Sequence, residues 1–314
     1  MAVLRVILGD QLSPTISSLH GADKTKDTIL ICEVQQEATY VKHHKKKLAF
    51  IFSAMRHFAQ ELRDAKYRVI YHKLDDATPV SRFSDAVTRA AQMGDFDEIV
   101  VTEPSEYRVL EEIKLWPDLL NLPVDIRPDT RFLASHSDFQ NWSAGRKSLR
   151  MEYFYREQRK RHGILMQGDE PVGGQWNFDA DNREAFGAEG PGAVPSPTAF
   201  EPDAMTREVI ALVNTRFADH PGTLESFAWP VTRSQALQAL QRFVDERLPL
   251  FGRYEDALWP GEPWLYHSHL SSAMNLKLLS AREVVQAVEA AYRAGHAPLQ
   301  SAEGFIRQIL GWRE

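Results

Sequence analysis

Residues 28–72 read TILICEVQQEATYVKHHKKKLAFIFSAMRHFAQELRDAKYRVIYH. Two short β-branched runs, 28–34 and 67–72, bracket a segment in which Leu48, Ile51, Phe52, Met55, Phe58 and Leu62 recur at helical spacing. A strand, a helix and a further strand in that order form a crossover, and crossovers join parallel strands. Further runs of the same kind lie at 3–8, 98–102 and 123–127, with helical patterns near 81–93 and 105–120. The alternation predicts an α/β, doubly wound parallel sheet of Rossmann-like type. In such a sheet, ligands gather at the carboxyl ends of the strands.

The loop after the first strand, Gly9-Asp10-Gln11-Leu12-Ser13, has neither a G-x-G-x-x-G spacing nor a P-loop lysine. Dinucleotide or nucleoside-triphosphate binding in the usual manner is therefore unsupported. The loop after the second strand carries Glu33, Gln35, Gln36, Glu37 and Tyr40, then His43-His44-Lys45-Lys46-Lys47. Adjacent histidines cannot both face one metal from a helix, and the lysines read as a solvated first turn.

The length of 314 residues suits two domains, and the formal net charge of -6 argues against a uniformly basic nucleic-acid binder while leaving room for a local basic face. The single cysteine, Cys32, excludes a disulfide framework and any multi-cysteine metal site built from these residues alone. A reducing cytoplasm is the expected compartment. No uncharged run reaches the ~18 residues needed to span a bilayer, so neither membrane insertion nor secretion is expected.

Residues 145–162, GRKSLRMEYFYREQRKRH, set seven Arg/Lys against Glu152 and Glu157, with Tyr153, Phe154 and Tyr155 interleaved. A basic, aromatic helix attracts a phosphate backbone because its cations displace condensed counterions, and it equally suits a solvated face. Arg146, Lys147, Arg150, Arg156 and Arg159 are the candidate DNA contacts. From 163 to 200 the chain turns Gly- and Pro-rich, the composition of a linker. Within it the aromatic island 176–182 is expected to lie against a domain, and Asp179 and Asp181 are candidate cation ligands or, equally, solvent-facing turn residues.

Beyond 200 only helical patterns remain, at 204–217, 234–248 and 281–292, the last opened by the capping-box spacing Ser280-Ala281-Arg282-Glu283. Between them, 251–282 concentrate Phe251, Tyr254, Trp259, Trp264 and Tyr266 before a run of small polar residues, His267-Ser268-His269-Leu270-Ser271-Ser272. Aromatics beside hydroxyls suit a pocket that stacks a flat ring and holds a polar tail; they also suit a capping loop over a core. Residues 306–314 form an apolar, helix-competent segment without a cap, which reads as a truncated end.

ILGDQLS at 7–13, EATYVKHHKKK at 37–47, TEPSEYRVL at 102–110, GRKSLRMEYFYRE at 145–157, GGQWNFDADNR at 173–183, FAWPVTR at 227–233, HSHLS at 267–271 and EGFIRQILGWRE at 303–314 occur in fixed order. In these motifs the chain resembles the photolyase/cryptochrome family, specifically its iron-sulfur bacterial branch of deoxyribodipyrimidine photolyase-related proteins. The resemblance implies an antenna-binding α/β domain over 1–135, a basic helix and interdomain linker over 136–200, and a partial helical FAD-binding domain over 201–314. It implies that His267, Ser268, His269, Leu270 and Ser271 wrap the flavin diphosphate and ribityl chain, with Tyr254 and Arg313 as phosphate contacts. His267 stands where the wider family has threonine, and Ser272, Lys277 and Ala281 also depart from its pattern.

The resemblance further places Trp312 and Gln308 on the lesion side, and gives a ribityl lumazine antenna Asp10 and Glu37 as polar contacts with Tyr40 and Ile51 as ring-side walls. Ile51 also belongs to the apolar stripe of its helix. The implied activity is blue-light-dependent repair of a flipped-out lesion in damaged DNA, with a (6-4) pyrimidine photoproduct as the expected lesion, by an electron from reduced FAD. A cryptochrome-type photoreceptor that signals without repair, and an antenna-binding fragment without activity, are the alternatives. A monomer is expected. The branch holds a [4Fe-4S] cluster on cysteine thiolates, and their ligand positions are absent from this chain, whose sole cysteine lies in the α/β half.

Overall fold

The computed structural model describes residues 1–314. Strand β1 (Val3–Ile7) lies at the centre of a five-stranded parallel sheet, and β2 (Thr28–Cys32) pairs with it in the register Leu4↔Thr28 to Ile7↔Ile31. The short helix α1 (Gln35–Thr39) leads into α2 (Lys45–Asp64), which returns the chain to β3 (Arg68–His72) at one edge. After α3 (Phe83–Ala91), β4 (Glu98–Thr102) pairs with the other side of β1, and α4 (Tyr107–Ile113) and α5 (Trp116–Leu120) precede β5 (Val124–Arg127) at the far edge. The strand order β3-β2-β1-β4-β5 reverses direction between β1 and β4. That reversal is the topological switch point, where the loops leaving the sheet diverge.

Alternation along the strands assigns the two faces. Leu4, Val6, Leu30, Cys32, Ile99 and Val101 join Val87 of α3 and Trp116 of α5 in one buried cluster. Arg5 sits in this sheet only 4 % exposed, and is tolerated because its guanidinium meets Asp27 at 2.7 Å and the carbonyl of Ser18 at 2.7 Å. The helical pattern at 105–120 is one segment in sequence but two helices in space. Pro117, in the first turn of α5, has no N–H to continue the ladder from α4.

The chain folds as two compact units, and their boundaries differ from the expected ones. The first comprises Met1–Thr130, Ala199–Gln235 and Asn275–Leu278. Residues 199–235, expected in the helical domain, instead cover α2: helix α8 (Ala204–Arg216) approaches His57, whose ring lies 3.3 Å from Thr206 and 3.4 Å from Asp203, while Trp229 packs edge-on against Phe50 at 5.6 Å. Phe50, Phe52 and Phe58 of α2 are all buried, so a helix apolar on several sides needs this second cover.

The second unit comprises Arg131–Thr198, Ala236–Met274 and Leu279–Glu314. Its elements are α6 (His136–Ser143), α7 (Met151–His162), a two-stranded hairpin β6 (Met166–Gln167) and β7 (Glu170–Pro171), then most of α9 (Arg233–Glu246), α10 (Leu248–Phe251), α11 (Ser271–Asn275), α12 (Ala281–Arg293) and α13 (Leu299–Arg307). A π-helical turn, Gln308–Arg313, extends α13. Phe243, Phe251 and Phe305 form the aromatic centre, with ring centroids 4.7–6.1 Å apart. Ser280 caps α12 as its spacing predicts, accepting from Glu283 N at 3.2 Å. The Gly- and Pro-rich stretch 163–198 is part of this unit rather than a free linker.

Candidate functional site

In the second unit the aromatic-to-hydroxyl transition at 251–271 is built around a column of rings. Tyr254 stacks on Phe186 at 4.4 Å and on Tyr266 at 5.7 Å, and Trp259 meets Phe186 edge-on at 6.3 Å. Phe186 comes from the segment that composition assigned to a linker, so its part in the column had no signal in the periodicity. The polar loop that follows is bent: Leu265 and His269 both have left-handed backbones, with φ of 43° and 58°. Leu270 is buried and anchors the loop, its N–H reaching Ser268 Oγ at 3.4 Å, and Ser271 opens α11. His267 is exposed, its ring 6.3 Å from that of Phe251.

His269 differs from its neighbours. Its ring lies edge-on to Trp264 at 4.9 Å, and its buried Nε2 has no hydrogen-bond partner. Burial first, then the charge of Arg247, pushes this imidazole down to about 4. Arg247 itself, between α9 and α10, is 1 % exposed, and its Nε and Nη1 have no partner either. Nothing in the sequence singled it out, because an arginine after a helix reads as an ordinary solvated cation.

At the end of the chain, Gln308 donates to Glu255 at 2.6 Å, and burial raises the Glu255 carboxyl above its ordinary range. Trp312 is 67 % exposed on the π-helical turn, Arg313 lies 6.0 Å from the Phe132 ring, and the Glu314 carboxylate accepts from the N–H groups of Leu133 and Ala134. The turn is packed against the start of α7: a Cβ on Gly311 would come 2.3 Å from Met151 Sδ. Arg146, Lys147 and Arg150, all exposed, directly precede Met151 in the chain.

Three of the candidate basic residues have partners within the chain. Arg146 donates to the Trp142 carbonyl at 2.6 Å and lies 4.7 Å from the centre of that ring. Arg156 pairs with Glu152 at 2.8 Å and lies over the rings of Tyr153 and Trp176. Arg159 is fully buried and donates to the carbonyls of Ile164, Leu165 and Trp176 at 2.6–3.2 Å, so it closes the chain onto α7 and offers nothing to a phosphate. The cation-ligand expectation at Asp179 fails for a similar reason. Its carboxylate is taken by Arg307 and by Arg183, the latter at 2.8 Å, and these hold it below the ordinary carboxylate range. No group of three or more His, Cys, Asp or Glu side chains in the chain is arranged around a cation. The island 176–182 does lie against its unit as expected: Phe178 N donates to Glu303, and Asn182 is buried.

The four antenna candidates fall into two pairs at the carboxyl edge of the sheet. Gln11 ties the β1 loop to the end of β4 across the switch point, donating to the Thr102 carbonyl at 3.0 Å. Beside it Asp10 accepts from Lys277 Nζ at 3.3 Å, and Lys277 also meets Asp129 at 3.3 Å. Ile51 faces this loop, since a Cβ on Gly9 would lie 3.6 Å from its Cγ2. Glu37 and Tyr40 meet through Arg108, which donates twice to the Glu37 carboxylate at 2.7 Å and lies 4.9 Å from the centre of the Tyr40 ring. Arg108 was within a recognised motif, but no spacing rule connects it to Glu37. Cys32 is buried in β2, where burial pushes its thiol far up and away from the thiolate form a metal requires.

A (6-4) photolyase of Agrobacterium fabrum is 52% identical over 314 residues, covering 100% of this chain and 62% of the relative. An uncharacterized protein, R852, of Acanthamoeba polyphaga mimivirus is 24% identical over 151 residues, 47% of this chain and 74% of that protein. Among solved structures, a bacterial class III photolyase from Agrobacterium tumefaciens superposes with a TM-score of 0.61 at 14% identity, over 99% of this chain and 57% of the other. The chain thus spans about three-fifths of the length of the photolyases it matches. The family model for deoxyribodipyrimidine photo-lyase-related protein matches residues 5–229, and the chain belongs to that family.

Proposed function

We propose that this chain serves a light-driven flavoprotein photolyase that repairs (6-4) pyrimidine photoproducts in DNA. The observation that carries the reading is the exposed Trp312, on a π-helical turn packed against Met151, the residue that directly follows the basic segment holding Arg146, Lys147 and Arg150. An indole presented next to cations is the arrangement that stacks an extruded base while its flanking phosphates are neutralised. Identity of 52% to a relative named (6-4) photolyase favours that lesion over others.

The residues fit a flavin dinucleotide. The Phe186–Tyr254–Tyr266 column gives a flat aromatic wall, Ser268 and Ser271 supply hydroxyls, and buried side-chain nitrogens on Arg247 and His269 have no partner within the chain. When bound, the flavin supplies the light-driven electron that the side chains cannot. The chain's own part is to bind, orient and exclude water. Gln308, fixed by Glu255, and Glu314, fixed on Leu133 and Ala134, hold the Trp312 turn in place. In the other unit, Asp10, Ile51, Glu37 and Tyr40 are proposed to take a ribityl lumazine antenna, with Arg108 ordering Glu37. A four-thiolate cluster does not fit the residues present, and no step is assigned to one.

Lesion engagement is tested in the dark by fluorescence anisotropy with a duplex carrying one (6-4) photoproduct and its undamaged twin. The lesion duplex should bind at least about tenfold tighter, and Trp312→Ala should remove most of that preference. Equal affinity for the two duplexes would sink the lesion reading.

A further inference from the structure

Glycine within a helical turn is disfavoured, because ordering its backbone costs more entropy than ordering that of alanine. Gly311 nevertheless lies in the π-helical turn, and its backbone is not in the left-handed region that calls for glycine elsewhere in the chain. What selects it is Met151. A Cβ on Gly311 would overlap Met151 Sδ and lie 3.2 Å from its Cγ and 3.6 Å from its Cε, so the whole thioether rests against the turn. The other anchors of the turn are polar: Gln308 donates to Glu255 at 2.6 Å, and Glu314 accepts from the N–H groups of Leu133 and Ala134. The thioether adjoins Trp312 in the turn, and among these anchors its sulfur is the atom that an oxidant attacks. Accessibility separates it from the other methionines. Met55 makes the same kind of contact, 3.1 Å from a Cβ on Gly9, but is 2 % exposed, and Met274 is 4 % exposed. Met151 is only half-buried and directly follows the exposed residues 144–150.

We propose that Met151 is a site of reversible oxidation whose sulfoxide unseats the turn that carries Trp312. Hydrogen peroxide is the co-reactant. A sulfur lone pair forms the S–O bond, the O–O bond breaks, and the departing hydroxide takes the proton of the transferred hydroxyl and leaves as water. Sulfur is oxidised by two electrons and peroxide is reduced by two. The product is a polar, chiral side chain at a contact that fits an apolar one without room to spare. Methionine sulfoxide reductases reverse the step, one enzyme for each epimer. The effect on the turn stands on this contact alone, and the consequence for DNA rests on the lesion-binding reading.

Peroxide treatment of the chain is followed by peptide mass spectrometry and by hydrogen exchange of the 308–314 amides. Met151 should oxidise at least about tenfold faster than Met55 and Met274, and exchange over 308–314 should rise with it by at least about fivefold, both reversed by the reductases. Met151→Leu should keep slow exchange through the same treatment, and Met151→Gln, polar and of similar length, should exchange fast without peroxide. Oxidation no faster than at the buried methionines, exchange unchanged by oxidation of Met151, or a rise in Met151→Leu equal to that in the unaltered chain would overturn the proposal. Reversal by the reductases in the unaltered chain decides the case even where Met151→Leu is loosened by itself. Preference for the (6-4) duplex should fall on oxidation and return on reduction, and a preference that survives oxidation would overturn the consequence for DNA. A preference absent before oxidation would sink the lesion reading and leave the oxidation site standing.

Discussion

Arg150 and Arg159 lie on the same basic segment, yet one is exposed and the other fully buried. Arg159→Met should destabilise the chain by about 3 kcal/mol in urea unfolding, since three carbonyls lose their donor at once. Arg150→Ala should leave stability within about 0.5 kcal/mol and lower the salt slope of DNA binding by about one unit. The sequence cannot separate them, because both are arginines in a polar run and only the returning chain at 164–176 selects which is covered. His269 offers a second residue-level test. Its folded imidazole titrates at about 4 against an ordinary 6.5, so between those values the unfolded chain binds more protons. Stability is therefore lost as pH falls from 6.5 towards 4 and levels off below. The loss from this group is roughly 2–3 kcal/mol, and urea unfolding of His269→Asn across the same range should be flatter by that amount.

Among the elements, the strands and α2 were legible because apolar periodicity and β-branched runs are local signals, and all five strands fall within the expected segments. Less legible were features set by distant contacts. The stretch 163–198 has linker composition, but Arg159, Glu303 and Gln300 satisfy its backbone and Asn182, so it is structure without periodicity. The approach of α10 to α13 was also hidden. A Cβ on Gly252 would lie 2.6 Å from Ser301 Cα and 2.9 Å from its N, a backbone contact that only glycine permits. Gly252→Ala should cost about 2–3 kcal/mol by thermal or urea unfolding. Gly187→Ala, where a Cβ meets open space, is the matched control and should change stability by less than about 0.5 kcal/mol.

For the whole molecule, each unit carries one proposed site. The α/β unit places Asp10, Ile51, Glu37 and Tyr40 at its carboxyl edge, and the helical unit joins the ring column, the polar loop and the Trp312 turn. Net charge of -6 coexists with a basic end, because charge acts by patch rather than by sum. No helix is long and apolar enough to cross a membrane. Residue types and motif order put forward the residues of both proposed sites, whereas the contact of Arg108 with Glu37 and the burial of Arg247 emerge only from what folds next to them. The proposed light-driven repair is read most directly by chromatographic quantitation of a (6-4) photoproduct oligonucleotide incubated with the protein and reduced flavin. Lesion should be lost under blue light and not in the dark, and at least about tenfold more slowly with Trp312→Ala. Lesion content unchanged by light, with flavin bound and reduced, would contradict it.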